Sequence, residues 1–135
     1  MKLSRTDLDR RRESLLPQDG EHRVELIRVA KSDTKTGRYL VLTFRSEEGK
    51  EVLFSPLIEP KHKDLEAMAL DHQVLLLDFL EAALGVEEVP ELMAALKEAV
   101  GKPVLVETQQ RQGRGRTRVN VTAFHTAPGP SKEES

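Results

Sequence analysis

Four arginines fall within eight residues, Arg111-Gln-Gly-Arg-Gly-Arg-Thr-Arg118, a stretch with two glycines and no acid. An arginine fork contacts two phosphate oxygens at once and can lie flat on a base, while glycine lets the backbone approach a polyanion closely. A second cationic stretch, Lys31-Ser-Asp-Thr-Lys-Thr-Gly-Arg38, offers Lys31, Lys35 and Arg38 against the single acid Asp33. The only tyrosine of the chain follows at once. In the run Tyr39 to Arg45, Leu40, Leu42 and Phe44 alternate with Tyr39, Val41, Thr43 and Arg45. If the first set is core, Tyr39 and Arg45 look outward, and Tyr39 can stack on a base. Phe124, which continues the face of Arg118, Asn120 and Thr122, is a weaker stacking candidate. Phe54 fits either face, and Phe44 and Phe79 read as core.

Other chemistry finds little support. With no cysteine there is no disulfide framework, thiolate metal site or thiol nucleophile. His22, His62, His72 and His125 show no metal-ligand spacing, no serine sits in a nucleophile elbow, and no glycine-rich loop opens a helix after a strand. The expectation is a protein that is not an enzyme and uses no metal or cofactor. Carboxylates are abundant between Asp64 and Glu98 but fall on helices with no paired, spaced set in a loop, so a small magnesium-dependent nuclease is a third reading that this pattern does not support. The basic, polar Met1 to Arg12 lacks the apolar core of an export signal, and no run approaches the roughly 18 apolar residues of a membrane span. A cytoplasmic protein without membrane contact is expected.

These residues need elements to position them, and hydrophobic spacing supplies the elements. Among the 135 residues, 33% are charged and 38% hydrophobic, enough for one domain with its own core. Val24, Leu26, Ile27 and Val29 alternate with a slip between Leu26 and Ile27, as in a bulged strand. Gly37 ends the following turn, and a third strand spans Glu51 to Ile58. Leu70, Val74, Leu77, Leu80 and Leu84 then recur at helical spacing up to Gly85, with Leu75, Leu76 and Phe79 widening the stripe, so this helix is expected to be buried on more than one side. Pro90 suits the first turn of a second helix carrying Leu92, Met93, Leu96 and Val100, closed by Gly101. Alternation returns at Val104 to Thr108 and at Val119 to Ala123, joined by a hairpin loop over Gln109 to Arg116.

The order of three strands, helices, and two strands predicts a mainly β, α+β domain: a five-stranded OB-like barrel with helices between strands three and four. An open sheet with two helices on one face fits the same order. The expected division is a flexible basic segment over 1–20, the OB-like domain over 21–126, and a disordered tail over 127–135. In an OB barrel the first and last hairpin loops flank the binding face, which would bring the two cationic stretches together. Charge is divided to match. Residues 59 to 101 carry three Lys+Arg against ten Asp+Glu, while residues 1 to 58 carry twelve against ten and residues 102 to 135 six against three. The acidic helices, 64–98, are expected to dock a protein partner or a second copy of the chain.

The chain also resembles a family of small bacteriophage proteins, formerly a domain of unknown function and grouped as single-stranded-DNA-binding. The resemblance lies in Leu16-Pro-Gln-Asp-Gly-Glu-His-Arg-Val-Glu-Leu26, Thr34-Lys-Thr-Gly-Arg-Tyr-Leu-Val-Leu-Thr-Phe44, Leu80 to Gly85, Gly101-Lys-Pro-Val-Leu-Val-Glu107 and Arg118-Val-Asn-Val121, in that order. It implies an OB-like fold and binding of single-stranded DNA during phage replication or recombination. The expectation is therefore binding of single-stranded DNA, or RNA, with little sequence preference, through Lys31, Lys35, Arg38, Arg45, Arg111, Arg114, Arg116 and Arg118 on phosphates and Tyr39 on a base. The alternative is a protein-interaction module, a phage factor that engages a host enzyme through its acidic helical face.

Overall fold

The computed structural model describes residue 4, residues 19–113 and residues 116–127, giving the backbone alone for 111–113 and 116–118. Most of the segment 1–20 and of the tail 127–135 lies outside the described residues. Six strands, β1 (Gly20–Asp33), β2 (Gly37–Ser46), β3 (Glu51–Phe54), β4 (Leu57–Pro60), β5 (Pro103–Gly113) and β6 (Arg116–Thr126), form one antiparallel sheet of order β3-β2-β1-β5-β6, with β4 also on β2. Two helices, α1 (Glu66–Leu84) and α2 (Leu92–Ala99), lie in the chain between β4 and β5. The long helical connection returns β5 to the free side of β1, so β5-β1-β2-β3 is a Greek key. The architecture is mainly β with two helices, and the sheet does not close by a ladder between β3 and β6. Among the described residues no helix is long and apolar enough to cross a membrane.

The slip in β1 is a bulge: Leu26 pairs with Phe44 and Arg28 with Thr43, leaving Ile27 extra. It bends the strand that serves both β2 and β5. At the β1–β2 turn, Thr34 Oγ1 accepts the N–H groups of Thr36 (3.2 Å) and Gly37 (3.3 Å), a hydroxyl-built turn. Gly37 has φ +153°, and a Cβ there would stand 2.4 Å from the Glu59 carbonyl oxygen, so β4 approaches only because this residue lacks a side chain.

The expected third strand is two. Pro56 has no N–H for the ladder, and the chain breaks at Ser55–Pro56 into β3 and β4, both on β2. The Pro56 carbonyl still accepts from Leu40 N–H at 3.1 Å, which carries the pairing across the gap. The break also resets the alternation, so Val52 and Phe54 point inward from β3 while Leu57 points inward from β4.

Phe44, Phe54, Phe79 and Phe124 meet in the core, with ring centroids 5.2 Å apart for Phe44–Phe79, 5.3 Å for Phe54–Phe124 and 5.4 Å for Phe79–Phe124. The two ends of the sheet thus meet through side chains. Phe124, expected as a possible stacking residue, is 5% exposed and belongs to this cluster. A bulge at Glu107/Thr108, where Glu107 pairs with Ala123 and Thr108 with Val121, shifts the phase of β6 near its end.

Helix α1 ends at Gly85, whose left-handed φ of 73° lets its N–H reach the Glu81 carbonyl at 2.8 Å. Its buried face is Ala69, Leu76, Phe79 and Leu80. The expected stripe is corrected here: Leu70, Val74 and Leu77 face solvent, because sheet and α2 cover only one side of the helix. Helix α2 starts one turn position later than Pro90 suggests, with Glu91 as N-cap accepting Ala94 N–H at 3.1 Å. Past its end, Gly101 at φ 86° donates to the Leu26 carbonyl at 2.9 Å, tying α2 to β1.

Candidate nucleic-acid interface

The β1–β2 hairpin gathers Lys31, Lys35, Arg38 and Tyr39. Between this hairpin, β4 and the start of α2 lies a groove of about 530 Å³ whose lining includes Lys31, Arg38, Tyr39, Ile58, Leu92 and Met93. Its charged lining is two cations, Lys31 and Arg38, and two carboxylates, Asp33 and Glu59, beside an aromatic ring and apolar side chains, so a base can rest on Tyr39 while a phosphate meets the cations. Tyr39 is half-buried, and its hydroxyl is 2.9 Å from Thr36 Oγ1, which fixes the ring against the turn.

Electrostatics at the hairpin differ from the simple count of charges. Lys61 Nζ lies 2.9 Å from Asp33 Oδ1 and donates to the Thr34 carbonyl at 2.9 Å. The hydrogen bond from Lys61 holds the Asp33 carboxyl below the ordinary carboxylate range, so this loop acid stays ionised but compensated. Arg38, expected to be unopposed, faces Glu59 of β4 at 3.5 Å. Among the described residues, Lys31 and Lys35 have no carboxylate at ion-pair distance. Strand β4 brought Glu59 and Lys61 to the hairpin, and neither was legible before the pairing of β4 with β2 was known.

Arg45 is not part of this group. It sits at the other end of β2, bonded to its cross-strand neighbour Glu51 at 2.9 Å. The arginine-rich segment is also arranged differently from a loop over Gln109 to Arg116. The ladder continues through Arg111↔Arg118 and Gln112↔Thr117 to Gly113↔Arg116. Arg114 lies outside the described residues, and Arg111, Arg116 and Arg118 are placed by backbone only. Because β5 pairs antiparallel with the first half of β1, from Glu25↔Pro103 to Gly20↔Thr108, it runs on past Gly20, whereas the first hairpin turns at Asp33. The two cationic hairpins therefore leave β1 at opposite ends of that strand.

Several contributors were missed by sequence reasoning. Leu92 and Met93 of α2 line the groove, and nothing local links them to a hairpin some fifty residues earlier. Leu53 projects from the outer face of β3, opposite Thr43, and is 54% exposed. Its outward phase follows from Phe54 being inward, a signal present in the sequence but ambiguous there. His72 proves to be a positioning residue: its Nδ1 accepts Leu57 N–H at 2.9 Å, and the neighbouring Gln73 Nε2 donates to the Ile58 carbonyl at 3.0 Å. Together they hold β4, one wall of the groove, against α1. Burial pushes the His72 imidazole below its ordinary value, against a smaller opposing pull from Asp71.

One group of potential metal donors is present despite the lack of sequence spacing. Glu21, Glu107 and His125, on the three adjacent strands β1, β5 and β6, place one ligand atom each within 4.8 Å of the others. His125 Nε2 and Glu107 Oε2 already pair at 2.6 Å, which gives the cluster a structural role without an ion. No protein-family model matches the chain, and no curated protein matches it.

Proposed function

We propose that this protein binds single-stranded DNA with little sequence preference, on an OB-type barrel left partly open between β3 and β6. The observation that carries the reading is the groove at the β1–β2 hairpin, where Tyr39, the cations Lys31 and Arg38, and the apolar Ile58, Leu92 and Met93 converge. A Greek-key sheet with helices between its third and fourth principal strands supports the OB reading. The resemblance in sequence to phage single-stranded-DNA-binding proteins supports a role in replication or recombination inside a bacterial host. Since the two hairpins leave β1 at opposite ends, a strand engaging both would run along the molecule. Arg111, Arg114, Arg116 and Arg118 then serve as a second phosphate contact, separate from the Tyr39 groove.

With one tyrosine available, phosphate contacts carry most of the affinity. A fluorescein-labelled oligo-dT titrated at several salt concentrations should show log Kd rising with log salt by about 0.7 per phosphate neutralised. Y39A should weaken binding about 5- to 150-fold, the span of one stacked base. K31A/K35A should flatten the salt slope. No binding at low salt, or a Y39A variant equal to the parent, overturns the proposal. Cleavage of the labelled strand on adding magnesium would instead favour the nuclease reading.

A further inference from the structure

We propose that the solvent face of α1 docks a basic amphipathic helix of another protein. Leu70, Val74 and Leu77 lie four and three residues apart on this face and are 61%, 54% and 40% exposed. They do nothing for the fold, whose core is filled by the opposite face of the same helix. Beside this ridge runs a groove of about 390 Å³ whose lining includes Ile58, Leu76, Leu77, Leu80, Val89 and Leu92. Leu77 belongs to both, so ridge and groove form one apolar surface of the kind that receives a helix through anchors at matching spacing.

Charge selects the occupant. Glu66, Asp71, Asp78 and Glu81 are the only Asp, Glu, Lys or Arg residues of α1, all acidic, and Glu87, Glu88 and Glu91 flank Val89 in the connection to α2. A second copy would set these carboxylates against their own equivalents, and an anionic lipid surface or a nucleic acid would be repelled in the same way. A helix with leucine-like anchors on one side and Lys or Arg at its flanks satisfies both the apolar ridge and its acidic border.

The probe is an 18-residue fluorescein-labelled peptide of leucine and lysine, ordered so that all leucines share one helical face. A scrambled peptide of the same composition is the control. Fluorescence anisotropy should show the ordered peptide binding the full chain at least about tenfold more tightly than the scrambled one. L70S/V74S/L77S should lose that difference while keeping the parent's thermal midpoint and its affinity for oligo-dT, since all three residues stand outside the core and the Tyr39 groove. D71N/D78N/E81Q should weaken the peptide at low salt and converge with the parent at high salt. Equal binding of the two peptides, or an unaltered L70S/V74S/L77S variant, overturns the proposal. So does sedimentation equilibrium that shows a dimer dissolved by L70S/V74S/L77S, which would make a second copy the occupant.

Discussion

Replacing Phe124 by alanine tests the aromatic cluster that joins the two ends of the sheet. Its ring is 5% exposed and stands 5.5 Å from Phe44, 5.3 Å from Phe54 and 5.4 Å from Phe79. Truncation removes the transfer free energy of a phenyl ring and leaves a cavity walled by three other rings that cannot all collapse into it, a loss of about 3–5 kcal/mol. Domains of this size hold only about 5–15 kcal/mol in total, so the variant should lose about a fifth of its stability or more. F124L keeps most of the volume and gives up ring–ring contacts, for about 1–2 kcal/mol. Urea unfolding followed by far-ultraviolet circular dichroism gives both values, provided the slope with denaturant is unchanged. The fluorescence of Tyr39, the only tyrosine in a chain without tryptophan, reports in parallel whether the hairpin unfolds with the core. A wild-type urea midpoint for F124A, combined with a loss of oligo-dT affinity, would refute the reasoning by returning this ring to the surface as a base-stacking group.

Gly37→Ala forces a Cβ to 2.4 Å from the Glu59 carbonyl oxygen and 2.7 Å from Leu57 Cδ1; a cost of about 2–4 kcal/mol in urea unfolding is expected, from backbone strain and overpacking together. For His72, whose folded value lies below the ordinary 6.5, the folded chain binds fewer protons than the unfolded chain, so its contribution is intact above pH 6.5 and fades as pH falls through the lowered folded value. H72A should therefore flatten the acid limb of a midpoint-against-pH profile and cost about 1–3 kcal/mol at neutral pH, by leaving Leu57 N–H without its acceptor. E59Q removes the carboxylate that faces Arg38 at 3.5 Å, and anisotropy at low salt should show oligo-dT binding tightened about two- to threefold, an advantage that disappears as salt screens it.

Local signals in the sequence were legible where a residue's neighbours in the chain decide its environment. The inward set Leu40, Leu42 and Phe44, the bulge beside Leu26 and the glycine ends of both helices are of this kind. What escaped depended on pairing between distant segments. Helix α1 has apolar residues over most of its circumference, so spacing cannot say which arc meets the sheet, and the arc centred on Leu76 and Phe79 was chosen over Leu70, Val74 and Leu77 by contact with β4 and β6. Phe124 looked outward by counting from Arg118, but the bulge opposite Glu107/Thr108 changes the phase in between. The separation of the two cationic hairpins rests on which half of β1 receives β5, and no periodicity in either strand encodes that register.

Strand β4 links the two proposed binding grooves, although it has only four residues. Through Arg38↔Glu59 and Gly37↔Pro60 it shapes the hairpin that carries Tyr39, and through His72 and Gln73 it is fastened to α1. Ile58, Glu59 and Leu92 line both the groove beside Tyr39 and the groove beside Leu77. A ligand in either groove thus rests on a wall that the other groove shares, and that wall is held to the helix by two side-chain hydrogen bonds, one of which fails on protonation of His72. If a ligand in one groove changes the affinity of the other groove through β4, the second ligand changes the affinity for the first by the same factor, since coupling between two sites is reciprocal. The short strand is therefore the element through which acid and occupancy of the helical surface would each reach the Tyr39 groove.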